Sequence, residues 1–351
     1  MNKKRLLITA LVILLLAALL ILQVRTWRKF EWHSFAGATA GINLLWVTLG
    51  VALIHFSHVL RAMRWKILLR PVCKTTARSL VPPTVIGFTA IALLGRPAEL
   101  VRPYLIARKQ NLRMASQMAV WTVERIFDMG AFALMTAVNL LVMEATLRLL
   151  PGFQTSGRAF QIFKISGMVL LGGVAVAGSI AFFVRKNPGA ASGFVERTIG
   201  LISKKAGQAI AHRVHSFGEG LNTIHDLTSF VQIAALSLAI WIVIALSYIA
   251  VTHAYVDPKL STMTLSSVLL LTAGSVAGGV LQLPVVGGGS QLATISILQK
   301  VFAIRPEVAT SCGIMLWLVN FMSIIPAGLF FAHRERVSLV QLEEESVEET
   351  V

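Results

Sequence analysis

The chain has 351 residues, of which 56% are hydrophobic and only 14% are charged, and its formal net charge is +16. Because soluble domains carry about 25% charged residues, this composition excludes a soluble protein and indicates a polytopic membrane protein. The lysines and arginines flank apolar segments and do not gather on one basic face, which argues against nucleic-acid binding and follows the positive-inside rule.

Eight apolar segments alternate with charged connections, at residues 5–24, 39–60, 79–95, 114–147, 163–184, 229–252, 264–299 and 308–331. A membrane span needs about 20 apolar residues. The sequence therefore predicts an all-α polytopic membrane protein with about six full spans and two re-entrant helical hairpins. Segment 5–24 is longer than the apolar part of a signal peptide, and no small-residue cleavage site follows it, so an uncleaved span is favoured over a signal peptide.

The basic connections set the predicted orientation. Lys3-Lys4-Arg5 precede the first segment, and Arg61, Arg64, Lys66 and Arg70 follow segment 39–60. His333, Arg334 and Arg336 follow the last segment. Since cytoplasmic loops are enriched in Lys and Arg, we expect both termini in the cytoplasm and the protein in the inner (cytoplasmic) membrane.

The first re-entrant hairpin is predicted around Gly95-Arg96-Pro97. A second basic cluster follows segment 79–95, and it would lie outside the cell if that segment crossed the membrane. We therefore expect 79–94 to descend from the cytoplasm and 98–108 to return. Non-helical backbone is tolerated at membrane depth where protein or water surrounds it.

The second hairpin is predicted at 264–299, which lies between two spans of opposite direction and is broken by Pro284 and Gly287-Gly288-Gly289. Hairpins at matching positions of two inverted halves are typical of transporters and mark their binding sites. The topology thus suggests an inverted repeat. The predicted transmembrane domain covers 1–333, with an amphipathic cytoplasmic insert at 185–228, and 334–351 is predicted to be an acidic, disordered tail.

Two charged motifs interrupt apolar sequence, one around Glu99 and one around Glu124. At a rise of about 1.5 Å per residue, both carboxylates would lie about 15 Å from the cytoplasmic ends of their helices, near the bilayer midplane. Asp128 shares a helix face with Glu124, where two like charges repel, so the pair needs a cation or a proton. The ionisable candidates for this site are Arg96, Glu99, Arg102, Glu124, Arg125 and Asp128.

An arginine-rich pocket suits a phosphate or carboxylate, because the guanidinium fork binds such oxygens in pairs. A static salt-bridge network that fixes the hairpin is the alternative. Gly287, Gly288 and Gln291 form the matching tip of the second hairpin, where glycines permit tight turns and exposed amides. Gly274 and Gly278 favour close helix packing over binding.

Other chemistry has little support in the sequence. His55 and His58 are the only residues at ligand spacing, so no metal or other cofactor is expected. A nucleophile elbow, an HExxH motif and a nucleotide-binding loop are all missing. We therefore do not expect an enzyme.

Three stretches carry a family resemblance: Gly95 to Arg102, Val123 to Asp128, and the glycine-rich Pro284 to Gln291. From about residue 40 to 331 the chain resembles the lysylphosphatidylglycerol synthase transmembrane family, the flippase-like domain of multiple peptide resistance factors. The resemblance implies translocation of lipids such as aminoacylated phosphatidylglycerol between leaflets. It places Arg96, Glu99, Arg102, Glu124, Arg125 and Asp128 at the charged motif positions of the family.

The chain departs from the family pattern in two ways. Gln291 stands where the glycine-rich hairpin commonly carries a glutamate, which weakens an acid role on that side. No aminoacyl-transfer domain follows the last span, so the chain resembles a stand-alone flippase domain and lipid synthesis is not implied.

The sequence favours a protein that binds and flips an anionic, aminoacylated or glycosylated lipid without ATP. The arginines would hold the anionic headgroup, and the acids a cationic group or a proton. Two alternatives remain: an enzyme or accessory factor in lipid glycosylation, and a non-transporting scaffold. The expected partners are a membrane phospholipid or glycolipid and a separate lipid-modifying enzyme; nucleic acid is not expected, and homo-oligomers are compatible with the sequence.

Overall fold

The computed structural model describes residues 31–201, 226–279 and 288–335, together with scattered positions between 203 and 214. Within these ranges every regular element is a helix and no strand occurs. The prediction of an all-α protein is therefore confirmed. The apolar segment 5–24, the tip of the second predicted hairpin at 280–287, and the tail from residue 336 lie outside the described residues.

The first half contains α1 (Trp32–Ala40), α2 (Leu44–Leu69), α3 (Ala77–Leu94), the 3-10 helix Arg96–Leu100, α4 (Val101–Gln110) and α5 (Met114–Val142). The connecting region contains α6 (Glu144–Leu147), α7 (Pro151–Thr155), α8 (Gly157–Lys186) and α9 (Pro188–Gly200). Helix α9 begins the predicted insert, whose place at the membrane surface stays a prediction.

The second half contains α10 (Leu227–His253), α11 (Pro258–Ser261), α12 (Leu265–Gly278), α13 (Gly288–Lys300), α14 (Pro306–Trp317) and α15 (Ile324–Glu335). A π-helical turn, Leu318–Met322, joins α14 to α15 within one span. Several of the long helices begin at a polar cap: the Asn43 side chain accepts from the Leu45 amide at 2.9 Å, and Asp226 accepts from the Ser229 amide at 3.2 Å.

Six helical stretches in the described part of the chain are long and apolar enough to cross a membrane: Leu44–Leu69, Ala77–Leu94, Ser116–Val142, Phe160–Val184, Leu227–His253 and Pro306–Glu335. Five of them match segments that the sequence predicts as full spans. The sixth, Ala77–Leu94, is the one predicted as a re-entrant arm. The prediction of a polytopic membrane protein is confirmed, and the re-entrant arrangement stays a prediction.

The predicted end of the second apolar segment at residue 60 is wrong. Helix α2 continues to Leu69, and Arg61 and Arg64 are buried inside it. The sequence assigned them to a cytoplasmic connection because basic residues usually end a span. They are instead held within the bundle by partners described below, and Arg70 is the first exposed basic residue after the helix.

The first helical hairpin consists of α3, the 3-10 helix and α4. The chain turns at Gly95, whose φ of 85° is a conformation that L side chains rarely adopt. The arms pack closely, since a Cβ on Gly87 would lie 2.5 Å from the Cβ of Arg102. Leu80 and Ile106 share one hydrophobic cluster with the end of α2, so both arms meet the bundle at the same end.

The second helical hairpin consists of α12 and α13. A Cβ on Gly278 would lie 2.4 Å from the carbonyl oxygen of Gly289, and one on Gly274 would lie 1.8 Å from Cδ1 of Ile297. Gly274 and Gly278 therefore allow the two arms to touch, which confirms their predicted packing role. His253, at the end of α10, bonds the Met263 carbonyl just before the hairpin, and the Gly152 amide in α7 donates to the Val301 carbonyl just after it. The hairpin therefore begins beside α10 and ends beside α7.

The two halves meet along α2 and α10, which are antiparallel. The Asn43 amide donates to the Ala254 carbonyl at 2.9 Å, and at the opposite end Arg70 donates to Gln232 at 2.9 Å. The contacts of the hairpins are reciprocal: the α3 arm packs against α15 of the second half, and α12 packs against α5 of the first. The inverted repeat itself stays a prediction.

Candidate functional site

Charged side chains from three helices converge next to the first hairpin. We call this group the arginine cluster. Its six ionisable members are Arg61 and Arg64 on α2, Arg102 on α4, and Glu124, Arg125 and Asp128 on α5. All except Arg125 are buried. A buried charge is costly unless it is paired, so the contacts within the cluster decide how these residues are held.

Arg64 occupies the centre of the cluster. Its Nη2 donates to Oε1 of Glu124 at 2.6 Å, and its Nη1 donates to Oδ1 of Asp128 at 2.6 Å and to the Ser237 hydroxyl at 2.7 Å. One guanidinium group thus bridges the two carboxylates that share a face of α5. This contact supplies the cation that the spacing of Glu124 and Asp128 requires.

Each carboxylate has further arginine partners. Arg102 forms a two-point pair with Glu124, with its Nη1 at 3.1 Å from Oε1 and its Nη2 bonded to Oε2. Arg61 donates to Asp128 at 3.0 Å, and the Arg125 guanidinium lies 3.2 Å from the same carboxylate. Both carboxylates are therefore fully engaged by guanidinium groups.

Aromatic rings line the cluster. The guanidinium carbon of Arg102 lies 4.3 Å from the centre of the Trp65 ring and 5.4 Å from that of Phe88, and Arg61 lies 5.0 Å from Phe88. Such contacts stabilise a cation through the negative face of the ring. Trp65 is itself fixed by a hydrogen bond to Gln117.

Helix α10 fastens the cluster from the second half. Ser237 accepts from Arg64 and donates to the Ile233 carbonyl, and the Trp241 indole donates to the Asp128 carbonyl at 2.9 Å. The site therefore combines one hairpin arm, two spans of the first half and one span of the second. A movement of one half against the other would change these contacts.

The arginine cluster has more positive than negative charge. Four guanidinium groups face two carboxylates, which leaves two positive charges in excess. The buried Nε atoms of Arg61, Arg64 and Arg125 have no hydrogen-bond partner among the described residues. Buried polar atoms are normally satisfied, so these unpaired donors are exceptions that call for an explanation.

Arg125 is the partly exposed member of the cluster. Its side chain is 35% exposed, whereas that of Glu124 is fully buried. Arg125 lies eleven residues after the start of α5, about 16 Å along the helix. Charged groups at such depth almost always face a cavity or a functional path. Arg125 is therefore the ionisable member through which the cluster reaches the surface of the described part of the chain.

Two predicted site residues of the first hairpin, Glu99 and Arg96, have no described side-chain contact with the cluster. Glu99 is half-buried in the 3-10 helix, and no hydrogen bond or ion pair joins it to another described side chain. The sequence allowed a pair between Glu99 and Arg102, but Arg102 bonds Glu124 instead. The backbone of Arg96 begins the 3-10 helix, and its side chain lies outside the described residues.

The second hairpin contributes no charge to the site. Gly287 lies outside the described residues, Gly288 begins α13 with a φ of 50°, and Gln291 is half-buried in the first turn of that helix. None of the described contacts joins Gln291 to the arginine cluster. The binding role predicted for this tip therefore stays a prediction.

Sequence reasoning missed Arg61, Arg64, Ser237 and Trp241. The periodicity around the two arginines contained a signal, because Arg61, Arg64 and Leu68 recur at helical spacing and Ile67-Leu68-Leu69 is apolar. Read as a continuing helix, that pattern places both guanidinium groups on a buried face. Ser237 and Trp241 lie in a uniformly apolar span and carry no comparable local signal.

Comparisons with known proteins place the chain in a family. The model of the lysylphosphatidylglycerol synthase TM region matches residues 6–328, which include both helical hairpins and the arginine cluster. Comparisons with curated proteins and with solved structures find no match. The match covers most of the chain and agrees with the resemblance of its charged motifs, so this protein belongs to the family of the lysylphosphatidylglycerol synthase transmembrane region.

Proposed function

We propose that the protein binds the anionic headgroup of a membrane lipid at the arginine cluster and moves that lipid between the two leaflets without ATP. The observation that supports this most is the uncompensated charge: four guanidinium groups converge on two carboxylates in a membrane protein. Arginine binds phosphate oxygens in a planar, two-point geometry. An anionic headgroup would supply the missing negative charge.

The arrangement assigns different roles to the members of the cluster. Arg64 and Arg102 bond the carboxylates through both terminal nitrogens or both oxygens and would hold the helices in place, whereas Arg125 is partly exposed and would meet the headgroup first. The Nε of Arg61 has no hydrogen-bond partner among the described residues. Glu124 and Asp128 already hold arginines, so Glu99 is the carboxylate left for a cationic group such as an aminoacyl moiety.

Movement of the lipid would use the contact between the halves. Ser237 and Trp241 of α10 bond to the cluster, and the first hairpin packs against α15. Rocking of one half against the other is the usual way in which transporters with paired hairpins expose a central site to each side. We expect the same motion to carry a headgroup past Arg125.

Exchange of a fluorescent phosphatidylglycerol in proteoliposomes tests this function. Arg125→Gln should slow leaflet exchange by roughly tenfold to a hundredfold, because a hydrogen bond to a charged group contributes about 1.5–3 kcal/mol. Arg113→Gln is the matched control: it removes the same charge from the exposed cap of the same helix. The control should retain wild-type exchange.

Two outcomes would overturn the proposal. Equal exchange by wild type, Arg125→Gln and protein-free vesicles would leave the protein as a scaffold. A chemically altered lipid, detected by mass spectrometry after incubation with candidate lipid donors, would favour the alternative of a lipid-modifying enzyme. Retained thermal stability of Arg125→Gln would show that loss of exchange is not loss of folding.

A further inference from the structure

His58 is a second unsatisfied group beside the arginine cluster. It is 5% exposed, lies one turn before Arg61 on α2, and neither of its ring nitrogens has a hydrogen-bond partner among the described residues. A neutral imidazole carries one donor and one acceptor. Leaving both unused inside a protein costs free energy, and such groups commonly await a water or a ligand.

The surroundings of His58 connect it to the cluster. Its ring centre lies 4.6 Å from that of Phe88, and the guanidinium groups of Arg61 and Arg102 lie 5.0 and 5.4 Å from the same ring. Three nitrogen-bearing side chains thus surround one aromatic ring. The Nε donor of Arg61 also has no hydrogen-bond partner among the described residues.

The charge of the cluster limits which ligand it could hold. Two uncompensated positive charges are balanced by a ligand with two negative charges. A phosphate diester, as in phosphatidylglycerol, carries one negative charge and no ionisable hydroxyl. A phosphate monoester has a second ionisation near pH 6, so at neutral pH it carries between one and two negative charges.

We propose that the headgroup bound at this site is a phosphate monoester, held by Arg61 and Arg125 and hydrogen-bonded to His58. This inference rests on the proposed function and specifies its substrate class. In the dianion an oxygen accepts from the imidazole N–H, and in the monoanion the P–OH donates to the bare ring nitrogen. A diester oxygen can also accept from the imidazole N–H, but a diester has no P–OH to donate. His58 therefore distinguishes a monoester from a diester through the second contact alone.

Binding to the purified full chain in phosphatidylcholine nanodiscs tests the inference. The probes are tail-labelled phosphatidic acid, a monoester, and tail-labelled phosphatidylglycerol, a diester, at the same pH and ionic strength. Wild type should bind the monoester at least tenfold more tightly. His58→Phe should reduce that preference, because the contact with the P–OH is lost. It should weaken phosphatidylglycerol binding less, because the diester loses only the contact with the imidazole N–H.

His55→Phe is the matched control, because the His55 ring already bonds the Val51 carbonyl at 2.8 Å and lies one turn away on the same helix. It should keep the monoester preference. His58→Gln, which retains a donor and an acceptor, should restore part of it. A thermal unfolding measurement on each variant separates loss of binding from loss of folding.

The remaining outcomes separate this inference from the proposed function. Equal affinity of wild type for both lipids overturns the monoester assignment and leaves lipid binding intact. A monoester preference that His58→Phe does not change overturns the role of His58. No binding or exchange of either lipid overturns the proposed function as well. Competition by soluble glycerol phosphate as strong as that by phosphatidic acid would support the monoester chemistry and assign it a water-soluble source.

Discussion

The two helical hairpins each have two packed helical arms in the described part of the chain, but their side chains differ in charge. The first brings Arg102 against Glu124 and joins an arginine cluster. The described arms of the second, α12 and α13, carry no charged side chain before Lys300, and Thr272 and Thr294 bond carbonyls of their own helices. One hairpin is thus organised by ion pairs and the other by contact between small residues.

The first hairpin is therefore distinguished by buried charge, and the second by close packing of its arms. Buried charges can recognise a ligand of opposite charge. Removing one partner of a buried ion pair, however, leaves the other charge buried and unpaired, which is costly. Where glycines touch backbone, the arms are held closely and only volume matters. We therefore expect the first hairpin to respond to changes of charge and the second to changes of size.

The largest effect is expected at Arg64. Arg64→Ala leaves Glu124 and Asp128 without their shared partner, although Arg61 and Arg102 remain. Breaking a buried pair costs about 3–5 kcal/mol, so the free energy of unfolding should fall by about that amount. Denaturant titration in mixed micelles measures it. Lys66→Ala, exposed on the same helix, should change stability by less than about 0.5 kcal/mol.

A small effect of Arg64→Ala, equal to that of Lys66→Ala, would contradict the central place of Arg64 in the cluster. So would a gain in stability, since it would mean that repulsion among the four guanidinium groups outweighs their contacts with the two carboxylates.

Intermediate effects on the free energy of unfolding are expected at two glycines, and the two effects should have opposite signs. Gly278→Ala places a methyl group 2.4 Å from the Gly289 carbonyl oxygen, and overpacking of this kind costs about 1–3 kcal/mol. Gly172 on α8 has no atom within 4 Å of its Cβ position, so Gly172→Ala should gain up to about 1 kcal/mol from helix propensity. The same titration measures both, and a shared sign would contradict the packing account.

The smallest effect on stability is expected near the end of α4, away from the turn of the first hairpin. Lys109 lies 2.5 Å from Glu335, with side chains 30% and 34% exposed. Pairs this open to solvent contribute about 0–1 kcal/mol and weaken with salt. Lys109→Gln should therefore lower unfolding stability slightly at low ionic strength and not at high. A larger loss, or one that persists in high salt, would assign the pair a structural role.

Much of the fold could be predicted from hydropathy alone, because long apolar segments in a membrane protein have few options other than helices. Gly95 marked the turn of the first hairpin, and Gly274 and Gly278 marked the contact in the second. The pairing of Glu124 and Asp128 with a cation also followed from their spacing. These features depend on residues close together in the sequence, so residue spacing is enough to predict them.

The identity of that cation could not be read in the same way. Arg64 is 60 residues from Glu124, and Ser237 is 173 residues from Arg64, so only the packing of α2, α5 and α10 brings them together. Arg61 and Arg64 also resemble the basic residues that end a span. The enrichment of Lys and Arg in cytoplasmic connections therefore led to their assignment outside the site. The positions of buried charges depend on their partners, and the partners come from the tertiary fold.

A density map of the protein in nanodiscs that contain an anionic lipid tests the central claim most directly. The account predicts headgroup density within hydrogen-bonding distance of the Arg125 guanidinium, extending toward Arg61. If instead acyl chains cover Arg125, and the six charged side chains contact only one another, the cluster is a static network and the proposed lipid path does not pass through it.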